Sequence, residues 1–254
     1  MSDARHIVTS YGQELQQLRD LMAGMGGAVE NQVALATAAI LNGDAAVATR
    51  AVELDAAVDE QEREAETMVI RMLALRQPMA DDLRQIVGAM KITAALERIG
   101  DYAKNMARRS IVLGQYRLPF SLTGLANMSR LVQENLKLVI DAMGENDAAK
   151  AQQVWQSDQA IDEIYNSIFR ELITYMMEDA RNITPCTHLL FIAKNLERIG
   201  DHATNIAEHV HYAVTGEPLR EDRPKGDGSA YAVVRAPDDY EVSSAMQLGA
   251  GGGA

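Results

Sequence analysis

The sequence predicts an all-α protein made of two tandem, pseudo-symmetric three-helix bundles, six long antiparallel helices in all, with a disordered C-terminal tail. Three observations predict it. From about residue 12 to 213 the apolar positions recur at spacings of three and four, in a background rich in Ala, Leu, Met, Gln and Glu. A twelve-residue segment, LERIGDYAKNMA at 96–107, returns as LERIGDHATNIA at 196–207, identical at nine of twelve positions. The final 39 residues, 216–254, hold seven Gly and three Pro and lose the helical period. Residues 1–117 and 118–215 are therefore expected to form the two bundles, with 216–254 as the tail.

The helices are expected at 12–41, 45–76, 81–113, 121–143, 148–179 and 186–213. The first should end at Asn42-Gly43, where Gly closes a helix, and Asp44 should cap the second. Pro78 separates the second from the third, and Pro119 the third from the fourth. Gly144 and Asp147 mark the next corner, and Pro185 the last. The upstream halves of the units match as well, since NGDAAVATRAVELDAAVDE aligns with ENDAAKAQQVWQSDQAIDE at a displacement of 103. The three-residue excess over the displacement of 100 falls in the turn around Pro78.

Composition narrows the function. Lys plus Arg is 24 against Asp plus Glu 36, a net charge of −12, which would repel a phosphate backbone and disfavours nucleic acid as partner. The single cysteine, Cys186, cannot form an internal disulfide and fits a reducing compartment. The N-terminal stretch MSDARHIVTSYGQELQQ lacks the apolar run of a secretion signal, and no apolar segment reaches the roughly 20 residues of a membrane span. A cytoplasmic protein with no membrane insertion is expected. Neither a Gly-rich phosphate loop nor a Ser/His/Asp pattern occurs, and Cys186 has no evident base, so no catalytic residue is assigned and no enzyme is expected. The Met residues at 68, 72, 90 and 106 read as core filler.

The acids are arranged. Glu97 with Asp101 and Glu197 with Asp201 are (i, i+4) pairs, roughly 160° from the apolar seam of their helices. Asp55 with Asp59 and Asp158 with Asp162 repeat the spacing on the neighbouring helices, and each such pair costs about 0.2–0.5 kcal/mol in repulsion. In an antiparallel hairpin, residues whose numbers share a sum lie at one level. Asp55 levels with Asp101 and Asp59 with Glu97 about the Pro78 turn; Asp158 levels with Asp201 and Asp162 with Glu197 about the turn before Pro185. Each unit thus brings four carboxylates to one height. Such clusters suit a hard cation, Mg, Mn, Ca or ferric iron. They equally suit a solvated acidic face balanced by Arg98, Arg198 or Lys104. The Glu-x-x-His of di-iron carboxylate enzymes is missing, because Gly100 and Gly200 stand at the histidine position, where they would instead let helices approach closely. His202, His209 and His211 would extend the site or sit on the surface of the last helix.

The doubled LERIGD segments, each with its ExxxD acids, and the opening RHIVTSYGQELQQL resemble the PhoU family over about residues 6–213. The resemblance implies a cytoplasmic, homodimeric negative regulator of phosphate uptake and of the phosphate-starvation response. It implies as partners the ATPase of the Pst phosphate importer, PstB, and the sensor histidine kinase PhoR. It also implies a multinuclear metal cofactor, iron or else Mg, Mn or Zn, on Glu97, Asp101, Glu197 and Asp201, and next on Asp55, Asp59, Asp158 and Asp162. The alternative is a carboxylate-rich metal-binding or storage protein acting independently of the transporter.

Overall fold

The computed structural model describes residues 2–118 and 121–219, with side chains described from residue 11. Pro119 and the tail beyond 219 lie outside the described residues. Seven α-helices occur in this part, α1 Ser2–Asn42, α2 Ala45–Glu53, α3 Asp55–Arg76, α4 Asp81–Leu113, α5 Thr123–Glu145, α6 Ala148–Glu178 and α7 Ile183–Thr215, and among the described residues there is no strand. As α2 and α3 together make the second long helix, the all-α, doubled three-helix architecture is the one expected.

Both repeats turn the same corner. Asp44 and Asp147 adopt extended backbone and accept from the two N–H groups that follow, Ala46 and Val47 in one case, Ala149 and Lys150 in the other, at 2.8–3.1 Å. Each cap contributes about 1 kcal/mol. The residue before each cap is left-handed, Gly43 at φ 67° and Asn146 at φ 53°. The cap's own N–H then returns to the preceding helix, Asp44 to the Ala39 carbonyl and Asp147 to that of Ala142. Gly144, expected to close its helix, is instead inside α5, and Asn146 makes the turn.

Three further boundaries differ from expectation. Helix α1 begins at Ser2 rather than near residue 12. Helix α7 begins at Ile183 after a 3₁₀ turn at Ala180–Asn182, so Pro185 sits in its first turn, where no N–H is required. The expected helix 45–76 is interrupted at Leu54. There the buried Gln32 amide of α1 donates to the Ala51 carbonyl at 3.0 Å, the acceptor an unbroken helix would offer to the Asp55 N–H. Ala57 N–H meanwhile bonds the Leu54 carbonyl three residues back. The chain tightens around the first candidate acid, Asp55.

The core is one continuous aliphatic body. Leu96, Ile99, Ala103 and Met106 of α4 are fully buried, as are Leu196, Ile199 and Ala203 of α7, the seam the period indicates. Met72 and Met106 join it, Met68 packs at its edge, and Met90 departs from expectation by facing solvent. Helices α1, α4, α7 and α5 contact one another in turn around a square; α2 and α3 flank α4, and α6 flanks α7. One broad face therefore runs α3, α4, α7, α6, with the two LERIGD helices side by side at its centre.

Candidate functional site

The glycines set the spacing of this face. A Cβ on Gly200 would stand 2.9 Å from Cδ1 of Ile161 on α6, and one on Gly100 would stand 3.1 Å from the Gln32 side-chain oxygen and 3.4 Å from Cγ1 of Val58 on α3. Val58 and Ile161 are equivalent in the repeat. Each hairpin thus closes to near contact one residue before Asp101 or Asp201, and the carboxylates of the two helices are brought together.

In the first unit two basic side chains tie the acids together. Lys104 Nζ bridges two helices, donating to Asp55 Oδ2 at 2.5 Å and Asp101 Oδ1 at 2.7 Å. Arg98 lies 3.5 Å from both Glu97 and Asp101. Burial pushes the Glu97 carboxyl above the ordinary glutamate range, and the fields of Asp101 and Asp59 push it further. Burial of Lys104 opposes its charge, but the hydrogen bonds to Asp101 and Asp55 outweigh that and hold the ammonium above its ordinary value. Only Asp55 of this quartet is buried.

The second unit is drier. Asp158, Asp162 and Glu197 are all buried, and Asp201 is half-buried. Thr204 Oγ1 lies 3.1 Å from both Asp158 Oδ1 and the Gly200 carbonyl. Lys194 donates to Glu197 Oε1 at 2.9 Å, while Glu197 Oε2 is buried with no hydrogen-bond partner. Burial raises the Glu197 carboxyl most; Lys194 counters this, and Asp201 and Asp162 add to it. The two quartets thus carry their lysines at different places: Lys104 becomes Thr204 in the second repeat, and Lys194 replaces Ala94 of the first. The sequence reading missed Lys194, Thr204 and Gln32; the first two were open to view at positions where the repeats disagree.

Among the described residues no three or more His, Cys, Asp or Glu side chains are gathered closely enough to hold a metal ion as they stand. The histidines lie elsewhere. His202 packs on its own repeat equivalent, Tyr102, with ring centroids 5.6 Å apart, so the local two-fold axis passes between them. Burial and the nearby Lys91 lower His209 from its ordinary value. His211 Nδ1 lies 3.1 Å from the Glu217 carbonyl beyond the end of α7. Cys186 is fully buried, and burial alone raises its thiol. No helix among the described residues is long and apolar enough to cross a membrane.

Comparison with known proteins agrees with the doubled fold. The family model described as "PhoU domain" matches twice, at residues 22–110 and 125–210. A phosphate-specific transport system accessory protein PhoU homolog of Caulobacter vibrioides is 51% identical over 223 residues, 87% of this chain and 97% of the relative. The homolog of Rhizobium meliloti is 47% identical, over 87% and 94%. The crystal structure of PhoU from Pseudomonas aeruginosa superposes with TM-score 0.80 at 39% identity, covering 82% of this chain and all of that one. A phosphate transport system regulatory protein PhoU from Streptococcus pneumoniae gives 0.76 at 29%, covering 83% and 100%. With both repeats matched and relatives covered almost end to end, this chain belongs to the PhoU family of phosphate transport accessory proteins.

Proposed function

We propose that the chain is a cytoplasmic regulatory adaptor, a homodimer that restrains phosphate uptake and the phosphate regulon by linking the transporter ATPase PstB to the sensor kinase PhoR. The observation that carries this reading is the match along 97% of an accessory protein of the phosphate-specific transport system, both units included. The broad face supports it physically. A rigid wall of four helices with charged rows acts by binding one state of a partner more tightly than another, which shifts that partner's equilibrium without chemistry of its own. Deletion of the gene tests the reading: constitutive regulon expression at high phosphate is expected. A pull-down from phosphate-replete cells should recover the ATPase and the kinase; normal phosphate control with neither recovered overturns the adaptor.

One observation favours a second reading, in which the acids hold metal. Glu197 Oε2 is an orphaned buried oxygen beside Asp162 and Asp201. The donor set fits hard cations such as Mg, Mn or iron, and Zn less well. In the second unit Glu197, Asp201, Asp162 and Asp158 would hold the ion, which would relieve their mutual repulsion. In the first, Glu97, Asp101, Asp55 and Asp59 could do so only if Lys104 swung away from Asp55 and Asp101. Elemental analysis of native protein against Glu197→Gln/Asp201→Asn tests this, unchanged metal content overturning it. A metal store independent of the transporter would leave phosphate control intact on gene deletion.

A further inference from the structure

Between the acid quartets, along the seam of α4 and α7, lies a row of cations and rings, of which Arg98 also pairs with Glu97 and Asp101 and Tyr102 also packs against the core. On α4 they are Lys91, Arg98, Tyr102 and Arg109, and on α7 their repeat equivalents Phe191, Arg198, His202 and His209, each set spaced by seven, four and seven. That spacing keeps one helical face. The helices run antiparallel, so the register levels Lys91 with His209, Arg98 with His202, Tyr102 with Arg198 and Arg109 with Phe191. The contacts obey it. The Arg109 guanidinium stacks 4.0 Å from the centre of the Phe191 ring, Arg198 lies 5.9 Å over Tyr102, and Lys91 is the charged neighbour of His209. Arg109 also reaches His188 Nδ1 at 3.5 Å.

Every level therefore holds one cation and one ring. The cation stands on α4 at three levels, Lys91, Arg98 and Arg109, and on α7 at one, Arg198. Four of the eight face outward, with Lys91, Arg98 and Arg198 exposed and half of Phe191 open to solvent, while Tyr102, Arg109, His202 and His209 are half-buried beneath them. In a chain of net charge −12, a cationic and aromatic strip some 27 Å long, at 1.5 Å per residue, lies between two rows of carboxylates.

We propose that this strip is a docking surface for an acidic amphipathic helix of about 18 residues in the transporter ATPase, carrying carboxylates along its centre and cations on its flanks. The proposal rests on the adaptor reading and names the surface that reading requires. Complementarity selects the partner. Its central acids meet Lys91, Arg98 and Arg198, its apolar side chains meet Phe191 and Tyr102, and its flanking cations meet Glu97 and Asp101 on one shoulder and Asp201 on the other. A uniformly acidic or uniformly basic helix would be repelled by one of the rows.

Binding of the full chain to the purified ATPase subunit of its own transporter, measured at low and at physiological salt, tests the proposal. Lys91→Glu/Arg198→Glu changes only exposed residues, and its affinity should fall at least tenfold with a weaker salt dependence. Phe191→Ala, which alters no charge, should lose affinity several-fold. Leu75→Ala/Met79→Ala, at the exposed tip of the α3–α4 hairpin, should bind as the native chain does. Melting curves confirm that each variant is folded. Native affinity in both strip variants overturns the docking surface and leaves the adaptor standing. A native chain that does not bind the ATPase overturns both.

Discussion

Thr204 occupies in the second repeat the place Lys104 holds in the first, and each reaches across its hairpin to the equivalent aspartate, Thr204 to Asp158 and Lys104 to Asp55. The first quartet has an ammonium between its helices where the second has a neutral hydroxyl. The second must then find its counter-charge elsewhere, at Lys194.

Replacing Lys104 by Thr should leave the buried Asp55 facing the half-buried Asp101 with no cation between them. We expect a loss of about 1–3 kcal/mol in urea unfolding, less than for a fully buried pair because Asp101 reaches solvent. Adding Asp55→Asn should recover part of it. A double variant as unstable as the sum of the two singles would show that the bridge contributes nothing.

Glu197 gives a pH dependence of defined sign. Its folded carboxyl titrates above the ordinary value of 4.5, so the folded state holds that proton more tightly than the unfolded chain. The stability this supplies is complete below the unfolded value and is lost as pH rises through the folded one. Glu197→Gln keeps an acceptor for Lys194 and removes the ionisation. It should melt several degrees above the native chain at pH 7.5, the gap narrowing as pH falls toward 4.5 and staying closed below it. A gap that widens on acidification reverses the assignment.

Gly200→Ala places a methyl group against Ile161. A gain of about 1 kcal/mol in helix propensity opposes an overpacking cost of about 1–3 kcal/mol, leaving a net loss near 1 kcal/mol. Ile161→Val removes the Cδ1 atom in question, so the double variant should be more stable than the two separate losses add up to. Chemical denaturation of the four proteins reads this directly.

The caps are separable from the site. Asp44→Ala and Asp147→Ala should each cost about 1 kcal/mol, equally at the two corners, with partner binding unchanged. A cost at one corner only would mean that the repeats differ in how their second helices start.

The bundle was legible because helical period and repetition are local properties, readable without knowing what touches what. The antiparallel register of each hairpin was legible too, since it follows from numbering, and Lys104 meets Asp55 and Thr204 meets Asp158 across it. Azimuth did not follow: helical period alone turns the acids away from the core, yet Asp55, Asp158, Asp162 and Glu197 are buried, because the glycines draw the flanking helices over them. The break at Leu54 was hidden because its cause, Gln32, lies on another helix. The orphaned oxygen of Glu197 and the alternation of cations and rings along the seam needed distances.

Tyr102 and His202 meet across the axis that relates the two units. In an assembly of two separate identical chains, whatever stood at that place would face a copy of itself, and any replacement would arrive twice. Joining the units in one polypeptide ends this obligation. The two sides of the axis can then be chosen independently, a phenol against an imidazole, and the same freedom lets one acid quartet keep a lysine that the other has given up.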